Sequence, residues 1–343
     1  MKRIAIADIH LTGYEHDDIQ KDGLPLRLSN LIKSIKAVCQ YAVKNNIEHI
    51  DILGDLCNDK DIVYTTAINA FIDLITFFSQ LKFTIFSGNH DLSSTGETQT
   101  STIKIFSQTS NVKCVYNTTR IENIDIIPYS NQLISELNSH NGGDILLSHF
   151  GLNEAQLQSG ISVRTNISAK DLKKWKLVIL GHYHKSQTIT VGDTHIWYVG
   201  SPFHSSWNDK NETKRFLVYD TDTLKVASLD IGGTTKYLEY IIDDSTENSG
   251  DILKEAVENR KKGHFVRVIN RSTNREFLHE DTDISSDVKV INEEIPVSKD
   301  RGINVSMTQL DIFKKFVEIK QISENKRDMY INTITEVLSN KGL

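Results

Sequence analysis

Short apolar runs recur along the chain, and several break off into a small cluster of polar residues. Strands are predicted over residues 3–7, 50–53, 83–86, 145–147 and 177–180. Between the first three, Leu28, Leu31, Ile32, Ile35, Val38 and Ala42, and then Ala67, Phe71, Leu74, Ile75 and Phe78, fall at helical spacing. Strands alternating with helices predict a mostly buried α/β sheet. From about residue 193 strands follow one another without long helices, over 195–199, 215–219 and 225–229, which reads as the second half of a two-sheet sandwich. A polar stretch at 243–250 precedes a helix over 251–261 and strands over 265–269 and 288–291 flanking a polar loop. Leu310, Phe313, Phe316 and Val317, then Tyr330, Ile334, Val337 and Leu338, recur at helical spacing on either side of residues 323–327, predicting a helical hairpin. The chain thus divides into a core over 1–240, a small α+β domain over 241–300 and a hairpin over 301–343.

Composition narrows the picture. At ~150 residues per domain, 343 residues have room for about two domains. The hydrophobic share of 38% is that of a folded protein rather than a disordered one. Cys39, Cys57 and Cys114 are too few and too scattered for a disulfide framework or a cysteine-based zinc site, which favours a reducing compartment, the cytoplasm. The apolar run before Asp8 is only the four residues 4–7, too short for a secretory signal. No run approaches the ~18 apolar residues of a membrane span; Asn69, Asp73, Ser79 and Gln80 interrupt even residues 67–81. The net charge of −6 lacks the basic excess that advertises nucleic-acid binding. Carboxylates committed to metal ions count as negative in a sequence and not in a loaded site, so DNA is not excluded.

The polar clusters carry the chemistry: Asp8-x-His10, Gly54-Asp55, Gly88-Asn89-His90-Asp91, His149 and Gly181-His182-x-His184. Each follows an apolar run, where ligands of an α/β sheet sit. In an extended strand Asp8 and His10 share a side, as do His182 and His184, so each pair is a natural chelate. Mixed carboxylate, imidazole and amide donors suit Mn, Fe or Zn over Mg or Ca. Seven donors oversupply one ion; two ions about 3.5–4 Å apart, bridged by one carboxylate, use them all, an arrangement suited to phosphoester cleavage. A lone Asp-x-His is more often a capping pair, His149 alone could be a buried core histidine, and Gly88-Asn89-His90-Asp91 alone could be a turn. Their joint occurrence in this order is what points to a metal site.

This set resembles the five motifs of the calcineurin-like metallophosphoesterase superfamily over roughly residues 1–201, and within it the SbcD-type nuclease subunits related to the meiotic-recombination-eleven nucleases. Gly88-Asn89-His90-Asp91, Tyr198-Val199-Gly200-Ser201-Pro202 and the appended domain and hairpin favour that branch; the compact length and Asn/Ile/Lys-rich composition resemble phage-encoded members. The resemblance implies a two-sheet β-sandwich flanked by helices, a small capping domain that binds DNA, and a Mn²⁺-dependent 3′-to-5′ exonuclease and single-strand endonuclease of recombination and double-strand-break repair. It implies one metal on Asp8, His10, Asp55 and His184, and a second on Asp55, Asn89, His149 and His182, with His90 assisting the leaving oxygen. Asp91 either orients His90 or stabilises the turn. A phage-encoded protein would act in the host cytoplasm.

One departure stands out: Asn58 occupies the place where cellular members carry a second histidine. It can donate a hydrogen bond to phosphate but cannot transfer a proton. Asp59 and Asp61 are extra metal-shell groups or solvated charges. The Asp-Arg-Gly of serine/threonine phosphatases is absent. Trp197 and Phe203 read as core, whereas His204, Ser205 and Trp207 could line a DNA groove. Phe71, Phe77 and Phe78 read as core, and in the family helices at this position help form a homodimer. The hairpin either packs on its own domain or, as the resemblance implies, grips the coiled-coil root of an SMC-like ABC ATPase. A small-molecule phosphodiesterase or phosphomonoesterase, or a non-catalytic scaffold, are the alternatives; the first has no need of the appended domain and hairpin, the second none of a complete donor set.

Overall fold

The computed structural model describes residues 1–20, 22–93, 100–157, 159–272, 288–293, 308–320 and 323–340. The chain opens with β1 (Lys2–Ile6), α1 (Leu26–Lys44), β2 (His49–Leu53), α2 (Thr65–Phe77), β3 (Lys82–Phe86) and β4 (Val112–Val115). It continues with β5 (Thr119–Ile121), β6 (Ile124–Ile127), α3 (Leu133–Ser139), β7 (Gly143–His149), β8 (Trp175–Gly181), β9 (Gln187–Val191) and β10 (Thr194–Tyr198). Next come β11 (Arg215–Asp220), β12 (Val226–Asp230), β13 (Tyr237–Ile242), α4 (Ser249–Lys261), β14 (Phe265–Asn270) and β15 (Lys289–Asn292). The last described helices are α5 (Gln309–Ile319) and α6 (Glu324–Asn340).

Two six-stranded sheets, ordered β12-β11-β1-β2-β3-β4 and β5-β6-β7-β8-β10-β9, pack face to face with helices outside, the sandwich expected. The alternation of side chains builds the layers. Ile4 and Ile6 turn outward to α1 and α2, among Leu28, Leu31, Ile35, Phe71 and Ile75. Ala5 and Ala7 turn inward with Leu53, Phe86, Leu147, Ile179 and Tyr219 between the sheets. Because both faces of β1 are buried, its apolar residues run without a polar break. Each fully buried large side chain contributes about 1.5–3 kcal/mol. The outer face of the second sheet is closed by α3 and by Phe150, Leu152, Ile167 and Leu172 of the segment before β8. At the end of the inter-sheet layer remote from the polar clusters, Arg3 pairs with buried Asp51, which also accepts from the Tyr219 hydroxyl at 2.7 Å.

The pairing corrects one expectation. Of the strands expected after residue 193 only β10 lies in the second sheet: β11 and β12 return to the first, β11 lying antiparallel against β1, and the second sheet already begins at β5. The change of texture marks the loss of crossover helices, which antiparallel neighbours do not need. Short or alternating strands escaped the apolar-run criterion, among them β9, an edge strand with alternating exposure. β13, β14 and β15 form a three-stranded parallel sheet backed by α4. Of the polar loop expected before β15, residues 273–287 lie outside the described residues. Phe71 and Phe78 are buried, but Phe77, expected in the core, is 72% exposed at the end of α2. Trp197 is half-buried against the inter-sheet layer and Phe203 is buried. In the hairpin Val317 is buried while Ile312, Phe316, Met329 and Tyr330 are exposed; the side chains of Val337 and Leu338 lie outside the described residues. No helix among the described residues is long and apolar enough to cross a membrane.

Candidate metal centre

All five polar clusters meet at the carboxyl ends of β1, β2, β3, β7 and β8, where the two sheets face each other. The loops after β1 and β2 are laced in parallel: Asp8 N donates to Gly54 O (3.2 Å), His10 N to Asp55 O (2.9 Å) and Leu11 N to Leu56 O (2.8 Å). Across the sandwich, His182 N donates to both Asp8 carboxylate oxygens at 2.9 and 3.1 Å. His90 N donates to Asp55 Oδ1 at 2.8 Å, which leaves Asp55 Oδ2 facing His149 Nε2 at 3.2 Å and His10 Nε2 at 3.7 Å.

Three groupings of donor atoms result, each within 4.8 Å: Asp8 with His10 and His184, Asp55 with His149 and His182, and His10 with Asp55 and His90. Asn89 Oδ1 lies 3.0 Å from His182 Nδ1. The shared side within each chelate was expected from strand periodicity but has another origin. β1 ends at Ile6, and Asp8, His10, Asp55 and His182 take φ of 55°, 50°, 49° and 98°. Such conformations cost non-glycine residues of order 1–3 kcal/mol each and gather at functional sites. Gly54 (φ 77°) and Gly88 sit against each other beneath Asp55. A Cβ on Gly54 would stand 2.5 Å from His149 Nδ1, and one on Gly88 would overlap the Asp55 carboxylate.

The donors fit divalent cations. His149 Nδ1 lies 2.7 Å from the Leu53 carbonyl, so this nitrogen carries a proton and donates, which fixes the ring and directs Nε2 into the site beside Asp55. That Nε2 is buried with no hydrogen bond among the described residues. His10 Nε2 and His184 Nε2 stand 3.0 Å apart, a spacing that two imidazole lone pairs tolerate only around a proton or a cation. Burial and His184 lower His10 to about 3, and burial and His149 lower His182 to about 4, so both rings are neutral donors near pH 7. Burial raises the Asp8 carboxyl. Burial also opposes charge on Asp55 and His149, yet their mutual attraction holds the Asp55 carboxyl below its usual range and lifts His149 to about 9.

The remaining candidates separate. His90 Nδ1 lies 2.6 Å from the backbone carbonyl of Asn58, which orients the ring. Asp91, one of the two expected catalytic residues, does not contact that ring. Its carboxylate is fully buried and accepts from the amides of Cys57 (2.8 Å), Gly88 (2.8 Å) and Leu56 (3.3 Å), bracing the loops after β2 and β3; burial and Asp55 raise it to about 7. The Asn58 amide is half-buried and donates to Asp59 at 3.0 Å, so its carbonyl, invisible to a side-chain reading, is the group that serves the site. Asp59 and Asp61 join no donor grouping among the described residues. His204 was expected to touch substrate but is 3% exposed, its Nε2 bonded to Glu212 O at 2.8 Å; the chain turns inward after Pro202 and buries the imidazole. Trp207 does reach a cleft beside His182 and His184, together with Lys210 and Arg267, which sequence reasoning missed. Nothing in the sequence marks these cations apart from other surface charges.

No protein-family model matches the chain. It is related to Exonuclease subunit 1 of Enterobacteria phage T4, 23% identical over 235 residues, a match covering 65% of this chain and 66% of that protein, just under two thirds of the relative's length. The resemblance to nuclease subunits read from the motifs is thus met by a phage exonuclease subunit. Among solved structures the chain is similar to a novel archaeal phosphodiesterase, at 15% identity over 67% of this chain and 99% of that one, with a TM-score of 0.35. It is also similar to GAP50, the anchor in the inner membrane complex of Plasmodium, at 13% identity over 68% and 85% of the two chains, with a TM-score of 0.43.

Proposed function

We propose that the chain is a two-cation DNA phosphodiesterase, a 3′-to-5′ exonuclease and single-strand endonuclease that works as one subunit of a recombination and repair complex with an SMC-like ATPase. The observation that carries the reading is the convergence of Asp8, His10 and His184 on one side of Asp55 and of His149 and His182, with Asn89, on the other. Asp55, with one oxygen pinned by the His90 amide and the other facing both groups, would bridge the two ions. When bound, two divalent cations, Mn²⁺ in this reading, would supply Lewis-acid neutralisation of the phosphoryl group and an activated water. His90 would hold and deliver a proton at Nε2 toward the leaving oxygen, the Asn58 carbonyl accepting from Nδ1–H and orienting the ring. Asp8 fixes His182 through its amide, so the two sheets hold their donors in one geometry. In this reading residues 1–240 are the nuclease domain, 241–300 a capping domain and 301–343 the ATPase-binding hairpin, and the chain acts as a homodimer in the cytoplasm. The phage relative, named as an exonuclease subunit, supports the nuclease part of the reading.

The test is Mn²⁺-dependent cleavage of end-labelled single- and double-stranded DNA beside bis(p-nitrophenyl) phosphate. His90→Ala is expected to lose about 10²–10⁴ in rate with Mn²⁺ binding retained, and Asp8→Ala to lose one of the two bound cations together with cleavage. Hydrolysis of the diester with no cleavage of DNA, even with the ATPase partner added, would assign the site to a small-molecule substrate.

A further inference from the structure

A cleft of about 750 Å³ opens beside His182 and His184, within the ~300–1,000 Å³ of pockets that hold small ligands. Its far wall is built from two parts of the chain: Trp207, Asn208 and Lys210 from the loop after β10, and Arg267 from β14. Lys210 and Arg267 both pair with Glu239 of β13, Arg267 Nε at 2.7 Å. The Glu239 side chain is only 7% exposed, whereas that of Lys210 is 42% exposed. Two cations on one carboxylate leave a net positive charge at the cleft. The Arg267 guanidinium lies over the Trp207 ring at 4.2 Å, and Tyr237 meets the ring edge at 5.1 Å between centroids.

The loop that carries Trp207 and Lys210 is fixed from both sides. Asn211 N donates to Tyr237 O (3.0 Å) and Glu239 N to Asn211 Oδ1 (3.3 Å), which ties the loop to β13. Toward the sandwich, buried Lys214 donates to Ser201 Oγ (3.0 Å) and Asp209 Oδ1 (2.6 Å), while Asp209 Oδ2 accepts from the amides of Ser205 and Ser206. The aim of Trp207 and Lys210 at the cleft is therefore built into the fold.

We propose that Lys210, Arg267 and Trp207 form a clamp for the strand flanking the scissile phosphodiester, the cations seating one backbone phosphate in competition with Glu239 and the indole stacking on a base. The inference rests on the nuclease reading above and deepens it, because it selects an unpaired strand. An aromatic face is open only to a base that has left its duplex stack, and the cleft has the size of a nucleotide site rather than of a duplex groove.

The experiment is fluorescence-anisotropy binding of labelled decathymidylate to the metal-free chain in EDTA, with a blunt duplex as comparison. Lys210→Gln and Arg267→Gln are each expected to weaken binding about tenfold and to flatten the dependence of log affinity on log salt, the double variant by about 0.7, the one phosphate contact they share on a single strand. Trp207→Leu weakens binding with the salt slope kept. Arg267→Lys keeps the slope and loses the stacking contribution, since ammonium replaces the planar guanidinium. In the Mn²⁺-loaded chain the ratio of kcat/KM for the oligonucleotide to that for bis(p-nitrophenyl) phosphate falls in step with binding. Wild-type affinity and slope in the charge variants overturn the clamp, as does a parallel loss on both substrates. A wild-type chain that hydrolyses the diester and neither binds nor cuts DNA overturns the nuclease reading itself.

Discussion

Asp91 shows how a residue within a chemical motif can serve it through structure. Its two carboxylate oxygens answer three backbone donors from two loops, and those loops carry Asp55, Asn89 and His90. In Asp91→Asn an amide NH₂ would face an N–H, leaving buried donors unmatched at about 1–3 kcal/mol. Chemical denaturation is expected to show that loss, with cleavage falling only as far as the loops loosen. A drop in cleavage of His90→Ala size at unchanged stability would give Asp91 a catalytic role instead. The seven donors were legible because ligand chemistry restricts the side-chain types and each lies at the end of an apolar run. The Leu53 and Asn58 carbonyls that orient His149 and His90 were not, since a backbone oxygen has no residue type. Nor was the left-handed backbone at Asp8 and His10, which gives the same shared side that a strand would by another route.

Among the elements, β1, β2 and β3 and the crossover helices α1 and α2 between them were readable from period and length, whereas the short parallel strands β4 and β6 were not. The placement of β11 beside β1 depended on which sheet edge stood open, a property of the assembled sheet. The loop of residues 205–212 depends on the buried Lys214–Asp209 pair. Burial opposes charge on Asp209, but Lys214 and the serine donors hold its carboxyl below the usual value. A depressed folded-state value contributes stability above the unfolded value near 3.9 that is lost as pH falls through the folded one. Acid unfolding of Asp209→Asn is therefore expected to show a shallower dependence below about pH 4 than the wild type, measured by circular dichroism. The α5–α6 hairpin leaves Ile312, Phe316, Met329 and Tyr330 exposed, an apolar surface suited to docking against helices. Truncation before residue 305 is expected to leave the melting of the sandwich unchanged and to abolish pull-down of the SMC-like ATPase. Capture by the truncated chain would place the contact elsewhere.

At the scale of the whole molecule, two sheets hold opposite halves of one donor set, so ligand binding and sandwich stability are linked. Mn²⁺ at about a hundred times its Kd should stabilise the native state by about 2.7 kcal/mol. The melting temperature is expected to rise with Mn²⁺, to fall back with EDTA, and to respond less to both in Asp8→Ala, which keeps only the donors around Asp55, His149 and His182. A melting curve indifferent to Mn²⁺ in the wild type would remove the linkage. The antiparallel pairing of β1 with β11 has a further consequence, in time rather than in space. Lys2 lies opposite Asp220, so the strand that starts the chain gains its second neighbour only after more than two hundred residues have emerged. Contacts so distant along the chain slow folding, because loop closure must precede any gain from them. During synthesis Asp8 and His10 wait for His182 and His184, and the cation site is assembled late, after both sheets have found each other.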